Sequence, residues 1–227
     1  MLKQILIDQF RFLFFREPSR QISTLWKRYL AFGVVITWLA GIGRYWDNPK
    51  AYLFQYLGLG SLAYILFLSG LLWLLFYPLK PRHWQYRNVL VFVSLCSLPA
   101  LLYAIPVERF MSLDAAQSVN AWFLAIVASW RVALLVAFLK RVAKLPPMTV
   151  AIATLLPIAL IIVALSWLNL EHVVFNIMAG NDPDTQSGND QSYFIVLLMS
   201  LFSTLLLPVL LIGYGVLVYN ARQAKCE

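Results

Sequence analysis

Six apolar runs, at about residues 29–46, 52–78, 89–107, 121–139, 148–168 and 193–218, follow one another with short polar segments between them. That succession constrains the fold more than any other feature. A helix needs about 20 predominantly apolar residues to cross the hydrocarbon of a bilayer. The first run is the weakest, with 14 residues between Arg28 and Gly43, although Arg44, Tyr45 and Trp46 can anchor its far end. The second and last runs are long enough to tilt. The chain is 61% hydrophobic and 12% charged, against about 25% charged in a soluble domain. Too little polar surface exists to cover a globule of this size. The expected class is an all-α polytopic membrane protein of about six transmembrane helices. Residues 21–227 read as one membrane domain, with residues 1–20 as a separate amphipathic unit.

The basic residues order the runs. Fourteen of the 18 Lys and Arg side chains fall in the N-terminal segment, the loops after the second and fourth runs, and the tail. Three (Arg44, Lys50 and Arg109) fall in the alternate loops, where most acidic residues also lie. By the positive-inside rule both termini are expected in the cytoplasm, in a bacterial inner membrane. The net charge of +8 is spread between apolar runs. It therefore reads as a topology signal and not as a nucleic-acid surface.

Residues 1–16 carry Leu2, Ile5, Leu6, Phe10, Leu13 and Phe14 at helical spacing, with Lys3, Gln4, Asp8 and Arg11 largely elsewhere around the helix. This pattern suits a helix lying in the membrane interface; the alternative is an amphipathic helix docked on the protein. Pro18 and Ser19 end it. Asp8 and Arg11 interrupt the apolar stretch and no small-residue cleavage site follows, so a cleavable signal peptide is not expected.

Arg131 lies near the middle of the fourth run. A guanidinium there costs roughly 2.5–3.5 kcal/mol on insertion scales, so the residue is expected to face protein or water. On the same helix Ala121, Ala125, Ser129, Ala133 and Ala137 form a small-residue stripe opposite Arg131. Such stripes allow close helix approach, and the helix is expected to be central. No run contains an acid that could pair with Arg131. Proline frees the carbonyl four residues earlier in a helix. Pro99, Pro157 and Pro208 thus release the carbonyls of Leu95, Ala153 and Thr204, and Ser97, Thr154 and Thr204 place hydroxyls at similar depth. Arg131, Ser97, Thr154 and Thr204 form the candidate ligand site, for an anionic or carbonyl-bearing group such as a lipid head group. The alternative is a structural Arg bonded to backbone carbonyls.

A weaker polar cluster is expected at the outer face: Glu171, His172, Asp182, Asp184 and Asp190. Glu171 and His172 are adjacent, so they point in different directions on a helix and make a poor acid–base pair. The Asp-rich loop has Ser187 where an EF-hand requires glycine. A solvated acidic turn accounts for it. His83 and His172 fall on opposite sides of the membrane, and no metal or other cofactor is expected. Cys96 lies in an apolar run and Cys226 in the polar tail, so no disulfide is expected between them. The Gly41/Gly43, Gly58/Gly60 and Gly213/Gly215 pairs read as close helix contacts.

The layout, a basic amphipathic N-terminal segment followed by compact helices with short loops, is similar to many small bacterial inner-membrane proteins and loosely resembles the Yip1-type membrane proteins. The resemblance is one of layout, and no residue is carried across. Three functions follow from the residues. The first is a non-enzymatic membrane component: an adaptor, assembly or lipid-organising protein. Its partners would be the bilayer and other membrane proteins met through small-residue faces. The second is a small transporter or channel using the Arg131 level. The third is a membrane enzyme acting on lipid-linked substrates at the outer face.

Overall fold

Helix bounds follow the punctuation of the chain. In a computed structural model, residues 2–16, 21–46, 52–82, 84–168, 170 and 190–223 are described. Among them every regular element is helical: α1 (Leu2–Leu13), α2 (Gln21–Thr24), α3 (Trp26–Gly43), α4 (Leu53–Tyr56), α5 (Leu59–Phe76), α6 (Tyr86–Leu95), α7 (Leu113–Arg141), α8 (Pro147–Trp167) and α9 (Asp190–Gln223). Short 3-10 turns cover Tyr77–Leu79, Leu98–Ala104 and Val107–Arg109. α8 opens with Pro147, whose missing N–H belongs to the unbonded first turn. α5 opens at Gly58, held at φ +64°, where a side chain would meet the Trp38 carbonyl.

Among the described residues, five segments are long and apolar enough to cross a membrane: Leu59–Leu79, Tyr86–Ala104, Ser118–Arg141, Pro147–Trp167 and Ile195–Gln223. The first apolar run does form a helix, α3, but α3 is not among the five. Lys27 and Arg28 lie in its first turn, and Gly33, Gly41, Gly43 and Thr37 dilute its hydropathy.

The chain divides into two compact units, residues 1–106 with 127–145, and residues 107–126 with 146–227. In the first, α3 runs beside the Tyr86–Ala104 segment in the same direction. Trp26 meets Arg87, Gly33 packs on Ser94, and Gly43 packs on Ala104. The sequence offset is 61 at all three points, as two parallel helices in constant register require. Gly33 and Gly43 permit this approach, since a side chain at either would overlap its neighbour. Gly41 packs on Gly58 and Ser61 at the start of α5, which returns antiparallel. A string of rings then ties the elements together: Phe76–Trp84 at 5.5 Å, Trp84–Phe138 at 6.1 Å, Phe138–Phe92 at 4.2 Å and Phe92–Phe12 at 5.8 Å. The C-terminal half of α7 and the helix α1 are thereby fastened to α6.

In the second unit α8 packs along α9. α8 buries Val150, Ala153, Leu156, Ala159 and Val163. α9 brings Gly213 against Ile152, buries Leu210, and leaves Leu205, Val209 and Ile212 exposed. Of the glycine pairs, Gly41, Gly43, Gly58 and Gly213 make close contacts, while Gly60 and Gly215 face open space.

Candidate functional site

Pro99 creates the site. It has no N–H to return to Leu95, and its ring crowds that carbonyl. α6 accordingly ends at Leu95 and the chain continues as the tighter 3-10 turns of Leu98–Ala104. A helix end leaves carbonyls without partners inside the helix. Two carbonyls at this break receive side chains from distant parts of the sequence. The Gln9 Nε2–H donates to the Leu95 carbonyl at 2.8 Å, and the Arg131 Nε–H donates to the Cys96 carbonyl at 3.2 Å. The Leu95 carbonyl is the one that the proline rule nominates. Its donor comes from α1, however, and Arg131 takes the next carbonyl along.

Gln9 belongs to a polar pair at the buried face of α1. Asp8 and Gln9 are 1% and 2% exposed. The Asp8 carboxylate accepts from the Tyr29 hydroxyl at 2.6 Å and from Gln4 Nε2 at 3.2 Å. Ile5, Phe12 and Leu13 complete the docked face. Leu2, Leu6, Phe10 and Phe14 stay exposed as a row spaced by four, with Lys3 and Arg11 beside them. The apolar residues of α1 therefore divide between two faces. Periodicity alone had grouped Ile5 and Leu13 with Leu2, Leu6, Phe10 and Phe14 on one apolar face, and Asp8 with the polar residues elsewhere around the helix.

α7 also differs from expectation. Its packed row is Val127, Arg131, Leu134, Leu135 and Leu139, so Arg131 lies on the side that meets the protein. The small-residue stripe does not pack tightly: Ala125, Ser129 and Ala133 are exposed. The apolar surface removed from water or lipid is greater with Leu and Phe, and α7 turns that side inward together with its charge.

Arg131 lies 13 residues after Ser118 and 10 before Arg141, near the middle of its membrane segment. Its guanidinium sits 5.7 Å from the centre of the Tyr64 ring, within cation–π range. A second guanidinium in this unit also rests on a ring. Arg44 stands 4.5 Å over the Tyr103 ring, which packs against the buried cluster of Ala40, Ala100 and Val127. The joint below Arg44 is closed by Gly43 on Ala104 and by the Trp46 Nε1–H donating to the Ala104 carbonyl at 3.2 Å. Two cation–ring pairs thus lie in this unit, one at mid-segment and one where α3 meets the Leu98–Ala104 turns.

Among the described residues, Arg131 pairs with no carboxylate. One of its five N–H donors is used, on Cys96, and those on its terminal nitrogens make no hydrogen bond to the described residues. A cleft in this unit lies elsewhere, lined by Phe12, Phe15, Arg16, Leu134 and Phe138 among others, with room for about one water. Tyr64, beside Arg131, is 43% exposed. A guanidinium holds anions and carbonyls by fixed donors and does not exchange protons near neutrality.

Of the other candidate residues, Ser97 is buried at the same break, adjacent to Cys96. Thr154 and Thr204 belong to the second unit. The Thr204 hydroxyl donates within α9 to the Ser200 carbonyl at 2.8 Å, while Thr154 Oγ1 is buried with no hydrogen-bond partner among the described residues. Glu171, His172, Asp182 and Asp184 lie outside the described residues, as does His83; Asp190 is the first residue of α9. Periodicity and motif reading missed Asp8, Gln9, Tyr29, Tyr64 and Tyr103. Arg44 had registered only as an end anchor, and the tyrosines carry no signal that separates them from interfacial aromatics. Comparisons with protein-family models, with curated proteins and with solved structures gave no match.

Proposed function

We propose that this chain is a non-enzymatic component of a bacterial inner membrane, one that organises lipid around a braced helical scaffold. The observation that carries this reading is the two-sided α1. One face is tethered through Asp8 to Tyr29 and through Gln9 to Leu95. The other presents Leu2, Leu6, Phe10 and Phe14 beside Lys3 and Arg11. An apolar row flanked by cations suits acyl chains below and anionic head groups beside them. An interfacial helix that merely floated on the bilayer would need no buried carboxylate tether.

The proposed topology has six crossings with both termini in the cytoplasm. The support is the constant register of α3 along the Tyr86–Ala104 segment. An 18-residue helix is about 27 Å long, and α3 keeps pace with a neighbour that qualifies as a span from one end to the other. The charge asymmetry of the loops agrees with that count.

The test is to extract the full-length protein with its surrounding lipid in polymer nanodiscs and compare the lipids with those of the bulk membrane. Enrichment of phosphatidylglycerol is expected with the native chain. Loss of enrichment is expected when Phe10→Asp and Phe14→Asp are combined with Lys3→Gln and Arg11→Gln, all outside the tethered face. A native chain that carries lipids in bulk proportion overturns the reading.

A further inference from the structure

We propose that the cleft between the end of α1 and the last two turns of α7 binds an anionic phospholipid, its phosphate held by Arg16 and Arg141. Both Arg side chains line this one cleft, together with Phe12, Phe15, Leu134 and Phe138. Leu134, Phe138 and Arg141 recur at spacings of four and three, so they share one face of α7. Two apolar turns, about 10 Å of helix, thus lead to a guanidinium at the final residue. The membrane segment Ser118–Arg141 also ends at Arg141, the level at which a bilayer places its head groups. Apolar towards mid-segment and cationic at the end is the order of acyl chain and phosphate in a phospholipid. The site uses none of the outward α1 residues invoked for lipid organisation, and the two readings can fail separately.

The walls of the cleft are fastened before any ligand arrives. The Trp130 Nε1–H donates to the Leu13 carbonyl at 3.0 Å, and the Phe15 ring stacks on Trp130 at 6.5 Å. Phe12 and Phe138 both rest on Phe92. α1 closes with the Phe15 N–H on the Phe12 carbonyl at 3.0 Å and the Arg16 N–H on the Arg11 carbonyl at 2.8 Å, a helix end that calls for a left-handed residue. Phe15 takes that conformation, at φ +57°, where glycine is usual. Glycine would make the same turn without a ring for Trp130, and the turn brings Arg16 to the cleft. Nor are the two cations committed elsewhere. The Phe138 and Leu139 carbonyls at the end of α7 already accept from the backbone N–H groups of Val142, Ala143 and Leu145, so Arg141 is not needed as a cap. Among the described residues neither Arg16 nor Arg141 makes a hydrogen bond or ion pair. Both are exposed, and the cleft has room for about one water, so the phosphate fits at its mouth. Paired N–H groups in a planar fork match two phosphate oxygens, and two forks on one cleft can share one phosphate.

Native mass spectrometry of the purified full-length protein tests the proposal, with phosphatidylglycerol, phosphatidylcholine and inorganic phosphate as probes. Retention of phosphatidylglycerol is expected, weakened about tenfold or more by Arg16→Gln and by Arg141→Gln. Both side chains are exposed, so these variants should fold as the native chain does. Arg141→Lys keeps the charge and removes the fork, so an intermediate loss is expected. Arg11→Gln, on the outward side of α1, should leave this binding unchanged; an equal loss there would make it a diffuse attraction to the α1 surface and overturn the site. The proposal also fails if the native chain retains no phosphatidylglycerol, if phosphatidylcholine binds as well, or if either Gln variant leaves binding unchanged. Inorganic phosphate bound in place of phosphatidylglycerol would overturn the lipid assignment. Glu17, next to Arg16 in the chain, lies outside the described residues. Phosphatidylglycerol binding that appears only after Glu17→Gln would mean that the chain supplies its own anion, and the proposal would again fail.

Discussion

Pro99 ends its helix, whereas Pro157 sits inside α8, which runs on to Trp167. Both prolines forfeit the same hydrogen bond and crowd the same carbonyl. They differ in what surrounds them. At Pro99 two side-chain donors, Gln9 and Arg131, arrive from 86 and 35 residues away and take the carbonyls of the break. A broken helix in a membrane segment is tolerated where other parts of the protein satisfy its backbone, and this one becomes the point at which α1, α6 and α7 are joined. Around Pro157 the neighbours are apolar, with Ala153 and Leu156 fully buried. There the helix keeps its course, and the proline is a local feature of packing. The same residue type is a junction in one unit and an irregularity in the other.

The largest expected effect breaks the first region. Tyr29→Phe removes the hydroxyl that donates to the buried Asp8 carboxylate. Hydrogen bonds to charged groups contribute about 1.5–3 kcal/mol, and a loss of that size should appear in thermal unfolding of the detergent-solubilised protein. Next is Gln9→Leu, which leaves the Leu95 carbonyl without its donor and should cost about 1–3 kcal/mol. Pro99→Ala sharpens the attribution, because it lets the helix recover the Leu95 carbonyl by itself. In the double variant the penalty of Gln9→Leu should shrink by about 1 kcal/mol, a coupling that a double-mutant cycle reads directly. Strict additivity of the two substitutions would separate the tether from the break.

The second region should respond less. Pro157→Ala is expected to change stability by no more than about 1 kcal/mol, because prolines in membrane helices are accommodated locally. The smallest effect is expected of Thr154→Val. The Thr154 hydroxyl is buried with no hydrogen-bond partner among the described residues, and replacing such a group by an apolar isostere is close to neutral or stabilising, within about 0.5 kcal/mol. A loss at Thr154 as large as that at Gln9 would mean that the second unit also relies on a buried polar contact.

Much of the fold was legible in the amino-acid order because hydropathy acts locally. Five of the six apolar runs became membrane-length segments, and the weakness of the remaining one, the first, was visible in the 14 residues between Arg28 and Gly43. The site was legible in part. Arg131 stood out as a charge within an apolar run, and Pro99 nominated the Leu95 carbonyl. The pairing of donor with carbonyl was not legible, since Gln9 reads as one polar residue among several on a short amphipathic helix. The face of α7 was misjudged for a related reason. Small residues permit close packing, but a helix turns inward the side that gains most contact, and here that side carries Val127, Leu134 and Leu139 with Arg131 among them.

The sequence by itself determined the helical membrane class, the positions of the long apolar segments and the existence of one charge deep within them. These depend on the composition of contiguous stretches, and a contiguous stretch meets the bilayer as a unit. The tertiary structure alone decided that α3 runs in register with α6, that Asp8 and Gln9 face inward, and that Arg131 reaches the Cys96 carbonyl and the Tyr64 ring. Those outcomes depend on groups far apart in the chain, which have no bearing on one another until the helices pack.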